Sequence, residues 1–398
     1  MRGKLGLGVL LAAVLAVAAP VFAQAPAPAE GKPGGVLRLV LREDLPQGFA
    51  IHESATNSVT WPAMPCYSNL VIFDQLKRVG RVDAIAPELA ERWSWQDNYR
   101  NLVFFLRRDV RWHDGQPFTS KDVKFTFDLV REAKDAPTKL RLNPRKEWYS
   151  NVEAVEAPDP HTVVFRLKRP QPSLIALLAS GYSPVIPAHV PLAEHRSRCV
   201  GTGPFKFKEW KRGQSVDLVR NPDYFVKGRP YLDGLRYIVI VERGTRVAAL
   251  QTNQVDVAYP GDTTVSIAEQ LRGAVPQMSF TEIATNVSEN LLLNTKRPPF
   301  DNVKVRRALS LAIDRRAYVK AVHSGSGLVG AAMAPKPWGA WGLSEKDTQQ
   351  LPGYGKGEEG RVRARKLLAE AALAPAIPSR SRWPRAPSPS ISTSPPSC

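Results

Sequence analysis

With 398 residues, 43% hydrophobic and 23% charged, the chain has the length for two or three domains and the composition of a globular protein, not a disordered or fibrous one. The net charge of +18 would suit a nucleic-acid partner. Lysine and arginine are spread along the chain without a dense run, however, which argues against nucleic acid and for a basic surface facing anionic solutes or membrane.

The first element is an export signal. Arg2 and Lys4 form a positive start, Leu5–Ala19 is apolar but short for a membrane span, and Val21-Phe22-Ala23 offers small residues at a cleavage site before Gln24. A cleavable signal peptide over 1–23 is expected, with an uncleaved anchor as the alternative; losing Arg2 and Lys4 leaves +16. No cysteine lies near the cleavage point, so lipid attachment is not supported. Later segments lack a run able to cross a bilayer, and a periplasmic or extracytoplasmic location follows. Residues 24–35 read as a flexible lead-in.

Val36–Leu41 is predicted as the first strand, and Cys66–Asp74 as a helical turn and a short strand. Residues 97–130 carry the clearest local pattern. Leu102, Phe104 and Leu106 alternate with Val103 and Phe105, the pattern of a strand covered on both faces. His113-Asp114-Gly115 turns the chain. Thr119 is placed to cap a helix with Asp122, Phe118 to staple against Val123, and Val123, Phe127 and Val130 recur at helical spacing. Val152–Glu156 and Thr162–Lys168 form a predicted hairpin, Pro172–Ser180 a short helix, and Phe205 to Leu218 a second hairpin turned near Gly213. The glycines of Gly201-Thr202-Gly203 permit close backbone approach.

Leu235–Val241 reads as a strand and Glu242–Thr245 as a crossing between lobes, with Thr245 capping a helix. Strands are expected at Gln254–Ala258 and Asn290–Asn294. Asp301 is the expected cap of an amphipathic helix bearing Val305, Ala308, Leu309, Ala312 and Ile313. Strands alternating with helices indicate an α/β protein.

Residues 106–123, LRRDVRWHDGQPFTSKDV, resemble the signature of the extracytoplasmic solute-binding proteins of peptide and nickel ABC importers, solute-binding protein family 5. Pro87–Trp93, Asn221–Tyr224, Gly228–Gly234, Leu351–Tyr354 and Ala364–Ala371 also look like that family's pattern. The resemblance implies a two-lobed, periplasmic-binding-protein-like (type II) α/β fold with an extra subdomain in lobe one. Lobe one would span 36–243, with the inserted subdomain at about 57–180, and an incomplete lobe two would span 244–373. The tail at 374–398 is rich in Pro, Ser and Arg and departs from the family, whose members continue; a shifted reading frame is the reading, a disordered tail the alternative.

The resemblance implies a monomeric, non-enzymatic receptor that encloses a di- or oligopeptide between its lobes and delivers it to an ABC permease. Nickel chelates, sugars, haem or opines are alternative cargoes, and a non-functional fragment is a third reading. In peptide-binding relatives an acidic residue late in the chain anchors the α-amino group, and it would fall in the missing part. The candidate ligand contacts are Tyr67, Ser68, Asn69, Trp338 and Trp341, whose rings offer apolar surface with a polar handle. Packing inside lobe two is the alternative for the tryptophans, and a capped helix start for Tyr67–Asn69.

No cofactor or metal site is expected. His52, His113, His161, His189, His195 and His323 fall in no hydrolase or metal motif, so a secreted hydrolase is not supported; His113 is expected to bond locally within its turn. Gly325-x-Gly327-x-x-Gly330 and Gly355-x-Gly357-x-x-Gly360 match a dinucleotide pattern but lack its strand and helix, and are expected to be loops. Cys66, Cys199 and Cys398 allow one bridge whose pair the spacing does not select, buried thiols being the default.

Overall fold

A computed structural model describes residues 31–77, 81–259, 261–281, 289–331, 333, 335–336, 339, 342–354 and 357–371. The expected signal peptide, most of the lead-in, Trp338, Trp341, Cys398 and the tail lie outside these residues. In chain order the strands are β1 (Val36–Leu41), β2 (Val71–Phe73), β3 (Ile85–Pro87), β4 (Ala90–Gln96), β5 (Asn101–Leu106), β6 (Val152–Asp159), β7 (Thr162–Leu167), β8 (Phe205–Lys211), β9 (Ser215–Arg220) and β10 (Gly234–Val239). The helices are α1 (Asn57–Ala63), α2 (Ser120–Val130), α3 (Leu174–Leu178), α4 (Arg243–Gln251), α5 (Val265–Ala274), α6 (Val303–Ala312), α7 (Arg315–His323), α8 (Glu345–Gln350) and α9 (Gly357–Glu370).

β4, β5, β7 and β6 form, in that order, an antiparallel sheet across which α2 packs. Leu102, Phe104 and Leu106 bury one face of β5 in this core. The Phe165 ring stands edge-on to Phe104 at 5.7 Å and to Phe127 of α2 at 4.9 Å. Such pairs add about 1 kcal/mol each beyond their buried area. On the other face Val103 is buried and Phe105 lies under the Arg92 guanidinium, 3.5 Å from the ring centroid. The predicted cap of α2 is present: the Thr119 N–H donates to the Asp122 carboxylate at 2.9 Å, and Phe118 and Val123 share the core.

The first sheet, the one that contains β1, has the order β1-β10-β9-β8, with β1 and β10 parallel and the rest antiparallel. Gly213, at φ +70°, turns the β8–β9 hairpin. Because strand side chains alternate, this sheet has two apolar faces. Leu39, Leu41, Val216, Leu218, Leu235 and Tyr237 face one core. Val40 and Ile238 face another, closed by Ala249, Leu250, Val255, Tyr259 and Leu271 from α4, α5 and the residues between them.

Cys66 and Cys199 are joined in a disulfide inside the first of these cores, which fixes the pairing that spacing left open and replaces the expected buried thiols. Further along, Asn302, not Asp301, caps α6, its Oδ1 accepting the Lys304 N–H at 2.9 Å. Ile313 lies just past the end of that helix. α6 and α9 pack together through small residues, with Ala308, Gly360 and Ala364 buried. Gly357 and Gly360 are therefore helical, not loop residues as expected; a buried face of small side chains lets two helix backbones approach.

Three other expectations need correction. Glu242, not Thr245, precedes the first turn of α4. Gln254–Ala258 forms no strand; Val257 makes a single parallel bridge to Leu39, and Arg38 O accepts the Asp256 and Val257 N–H groups. Asn290–Asn294 forms no strand either, and Leu292 is 89% exposed. Apolar alternation makes a strand only where another strand pairs with it.

Candidate ligand-binding region

The Ile51–Glu53 turn carries polar groups into the base of the first sheet's core. Arg145 is fully buried, and its guanidinium donates to the carbonyls of Ile51 (2.5 Å), Ser54 and Tyr182 (2.7 Å). Burial pulls it down to about 10, so it keeps its charge at neutral pH. Glu53 accepts two bonds from Arg196, at 2.9 and 2.7 Å, and one from the Arg141 N–H at 2.8 Å. His52 Nε2 lies 2.8 Å from the Pro184 carbonyl. Burial first, and Arg145 next, push the His52 ring down to about 3.

The predicted contacts Tyr67, Ser68 and Asn69 follow α1 and stand against this turn. The Tyr67 hydroxyl donates to Phe49 O at 3.3 Å and lies 3.0 Å from His195 Nδ1. Tyr67 is 3% and Asn69 6% exposed. Asn69 Nδ2 donates to the carbonyls of Ser180 (2.7 Å) and Leu178 (3.3 Å). Ser68 is buried, and its carbonyl accepts the Val185 N–H at 2.9 Å. All three side chains are turned into the protein, where Tyr67 meets Phe49 and His195 and Asn69 meets Leu178 and Ser180. The Asn69 N–H donates to Glu88 Oε2 at 2.8 Å, and burial pushes that carboxyl up to about 8.

His113 departs from its expected local role. Its Nδ1 accepts the Gly201 N–H at 3.2 Å and its Nε2 lies 3.0 Å from Gly203 O. A carbonyl can only accept, so Nε2 carries the proton. The Gly203 N–H in turn donates to Cys66 O at 2.9 Å. The imidazole thus clamps the glycine loop beside the disulfide, 90 residues away in sequence from the turn it opens. The residue type was visible in the sequence; its distant partner was not. Arg145 and Glu53 were not singled out because no local pattern marks a buried charge.

At the expected crossing, Arg246 fixes the exit from β10. Its guanidinium donates to the carbonyls of Ile240 (3.0 Å) and Val241 and to the Asp262 carboxylate. On the neighbouring strand Arg38 pairs with Asp256 at 2.6 Å. Two cavities stand out among the described residues. A shallow groove of about 740 Å³ lies between α2 and β6, lined by Lys124, Arg131, Lys134, Asp135 and residues 153–158. A pocket of about 10 Å³ lies at His52, Tyr67 and His195. Neither is lined from both sides of position 243.

A family profile described as "bacterial extracellular solute-binding proteins, family 5 Middle" matches residues 84–377. The chain belongs to family 5. This is a family of binding proteins, not enzymes, and no described helix is long and apolar enough to cross a membrane. A relative in Brucella ovis, named provisionally as an ABC transporter peptide-binding protein, is 30% identical over 361 residues, covering 84% of this chain and 62% of its own. The chain therefore spans less than two thirds of that relative's length. The structure of the oligopeptide-binding protein AppA of Bacillus subtilis with a nonapeptide matches at TM-score 0.65 and 27% identity, covering 86% of this chain and 65% of AppA. AgaA of A. tumefaciens R10 with agropinic acid matches at TM-score 0.63 and 26% identity, covering 85% of this chain and 65% of its own. These matches carry the two-lobed α/β family fold expected from residues 106–123.

Proposed function

We propose that the chain is the extracytoplasmic receptor of an ABC importer, binding a di- or oligopeptide between two lobes and presenting it to a membrane permease as a monomer. The observation that carries this is the likeness to AppA, whose structure holds a nonapeptide. The Cys66–Cys199 disulfide supports an oxidising compartment outside the cytoplasm, reached by the signal peptide at 1–23. Lobe one spans 36–243, with its subdomain at about 57–180, and lobe two spans 244–373. α4 and α5, packed on the back of the first sheet, form the joint between them. Ligand stabilises the closed arrangement, which the permease recognises.

Trp338 and Trp341 are the candidate apolar wall of the site. Tyr67, Ser68 and Asn69 contribute through the position of their turn, since their side chains face inward. A second reading, an opine-like solute, rests on AgaA and its bound agropinic acid. Thermal unfolding against a peptide series and an opine series separates the two. Peptide binding raises Tm with ligand concentration, by about 2.7 kcal/mol of added stability at a hundred times Kd. Trp338→Ala or Trp341→Ala then weakens binding about tenfold. No shift with any peptide, while the opine series gives one, replaces the first reading by the second; no shift with either overturns both.

A further inference from the structure

The Ile51–Glu53 and Glu194–Arg196 turns each carry one buried histidine into the same small cavity. His52 Nδ1 and His195 Nε2 are buried and have no protein hydrogen-bond partner among the described residues. Their residues are 3% and 2% exposed. Both line one small cavity, together with Glu53, Tyr67, Leu140 and Leu192. Two orphaned nitrogens on one cavity are a stronger sign of an occupant than either alone, because buried polar atoms are almost always paired.

The chemistry of the lining narrows what the occupant is. The space open to the centre of a water-sized sphere is about 10 Å³. That is close to the least volume that holds one water, and it excludes any larger molecule. His52 Nε2 faces the Pro184 carbonyl and so holds the proton, which leaves Nδ1 a bare lone pair needing a donor. The Tyr67 hydroxyl gives its one proton to Phe49 O, so His195 Nδ1 donates to the Tyr67 oxygen and His195 Nε2 is likewise left a bare lone pair. Water serves both, since it has two protons to donate. A cation has no call on the site, because the carboxylate present, Glu53, is already bonded to Arg196 and flanked by Arg141.

We propose that this cavity is the site of one structural water molecule, which donates a hydrogen bond to His52 Nδ1 and another to His195 Nε2. The water ties the Ile51–Glu53 turn to the Glu194–Arg196 turn, behind Tyr67 and within the disulfide-bearing core. An atomic-resolution crystal structure of the whole chain tests this directly. Ordered density within hydrogen-bond distance of both nitrogens is expected; an empty cavity, or a protein group on either nitrogen, overturns the proposal. Oxygen-17 relaxation dispersion counts long-lived internal waters in solution, and folded His52→Leu is expected to hold one fewer than the parent. An unchanged count in that variant also overturns it. If His52→Leu does not fold, the density in the parent protein decides.

Discussion

Gly201 and Gly203 have no room for a side chain. A Cβ on Gly201 would lie 1.8 Å from Cys66 O, and one on Gly203 2.5 Å from Pro65 O. Because the obstacle is backbone held by a disulfide, and His113 holds the glycine loop against it, neither side can step aside. Gly201→Ala is expected to cost about 3 kcal/mol, read as a lowered urea midpoint with an unchanged m value. Charge at buried single residues also sets the response to acid. Burial holds His52 near 3, and His113 and His195 near 4, against an ordinary 6.5. The unfolded chain therefore binds protons that the folded chain refuses, and stability falls as pH drops from 6.5 towards 4. Glu88 has the opposite sign: lifted from 4.5 to about 8, it stabilises fully below 4.5 and loses that contribution as pH rises through 8. Between 4.5 and 6.5 three histidines outweigh one carboxyl, and above 6.5 the carboxyl acts alone. A stability maximum near pH 6.5 is expected from unfolding midpoints, and Glu88→Gln should flatten the alkaline side and steepen the fall between pH 6.5 and 4.5.

Elements read well from the sequence where their signals were local. In β5 and α2 the alternation, the Thr119–Asp122 cap and the Phe118–Val123 staple all lie within a few residues of each other, and all are present. Phe127 connects that element to the sheet through Phe165 and also packs on Tyr149, just ahead of β6. Phe127→Ala is expected to cost about 4 kcal/mol in thermal or urea unfolding, whereas exposed Lys121→Ala should change stability by less than about 0.5 kcal/mol. Sequence reading failed where an element depends on a distant partner. Residues 254–258 and 290–294 have strand-like patterns, but only Val257 finds a strand to touch. His113 was visible as a turn residue, yet its ring spends its bonds on Gly201 and Gly203. The candidate site was less legible than the fold for the same reason. Aromatic and polar residues at 67–69 suggested an open wall, while the neighbours that bury them, Phe49, Leu178, Ser180 and His195, are scattered along the chain.

At the scale of the whole molecule, three cores among the described residues pack about the two four-stranded sheets. The first sheet is shared: its front holds the disulfide-bearing core and its back receives α4 and α5. Arg246, with the carbonyls of Ile240 and Val241 and the carboxylate of Asp262, keeps that back layer in register with β10. The Cys66–Cys199 bond closes a loop of 133 residues around the other sheet. In the chain-entropy picture a loop of that length contributes about 5 kcal/mol, so dithiothreitol or Cys199→Ser should lower the unfolding free energy by a comparable amount. The same bond has a second effect, on the fate of a broken chain. A protease that cuts once anywhere between the two cysteines leaves both fragments covalently attached. Such a nicked product should run as one band without reductant and as two with it, so a single clip between residues 66 and 199 would not release either piece.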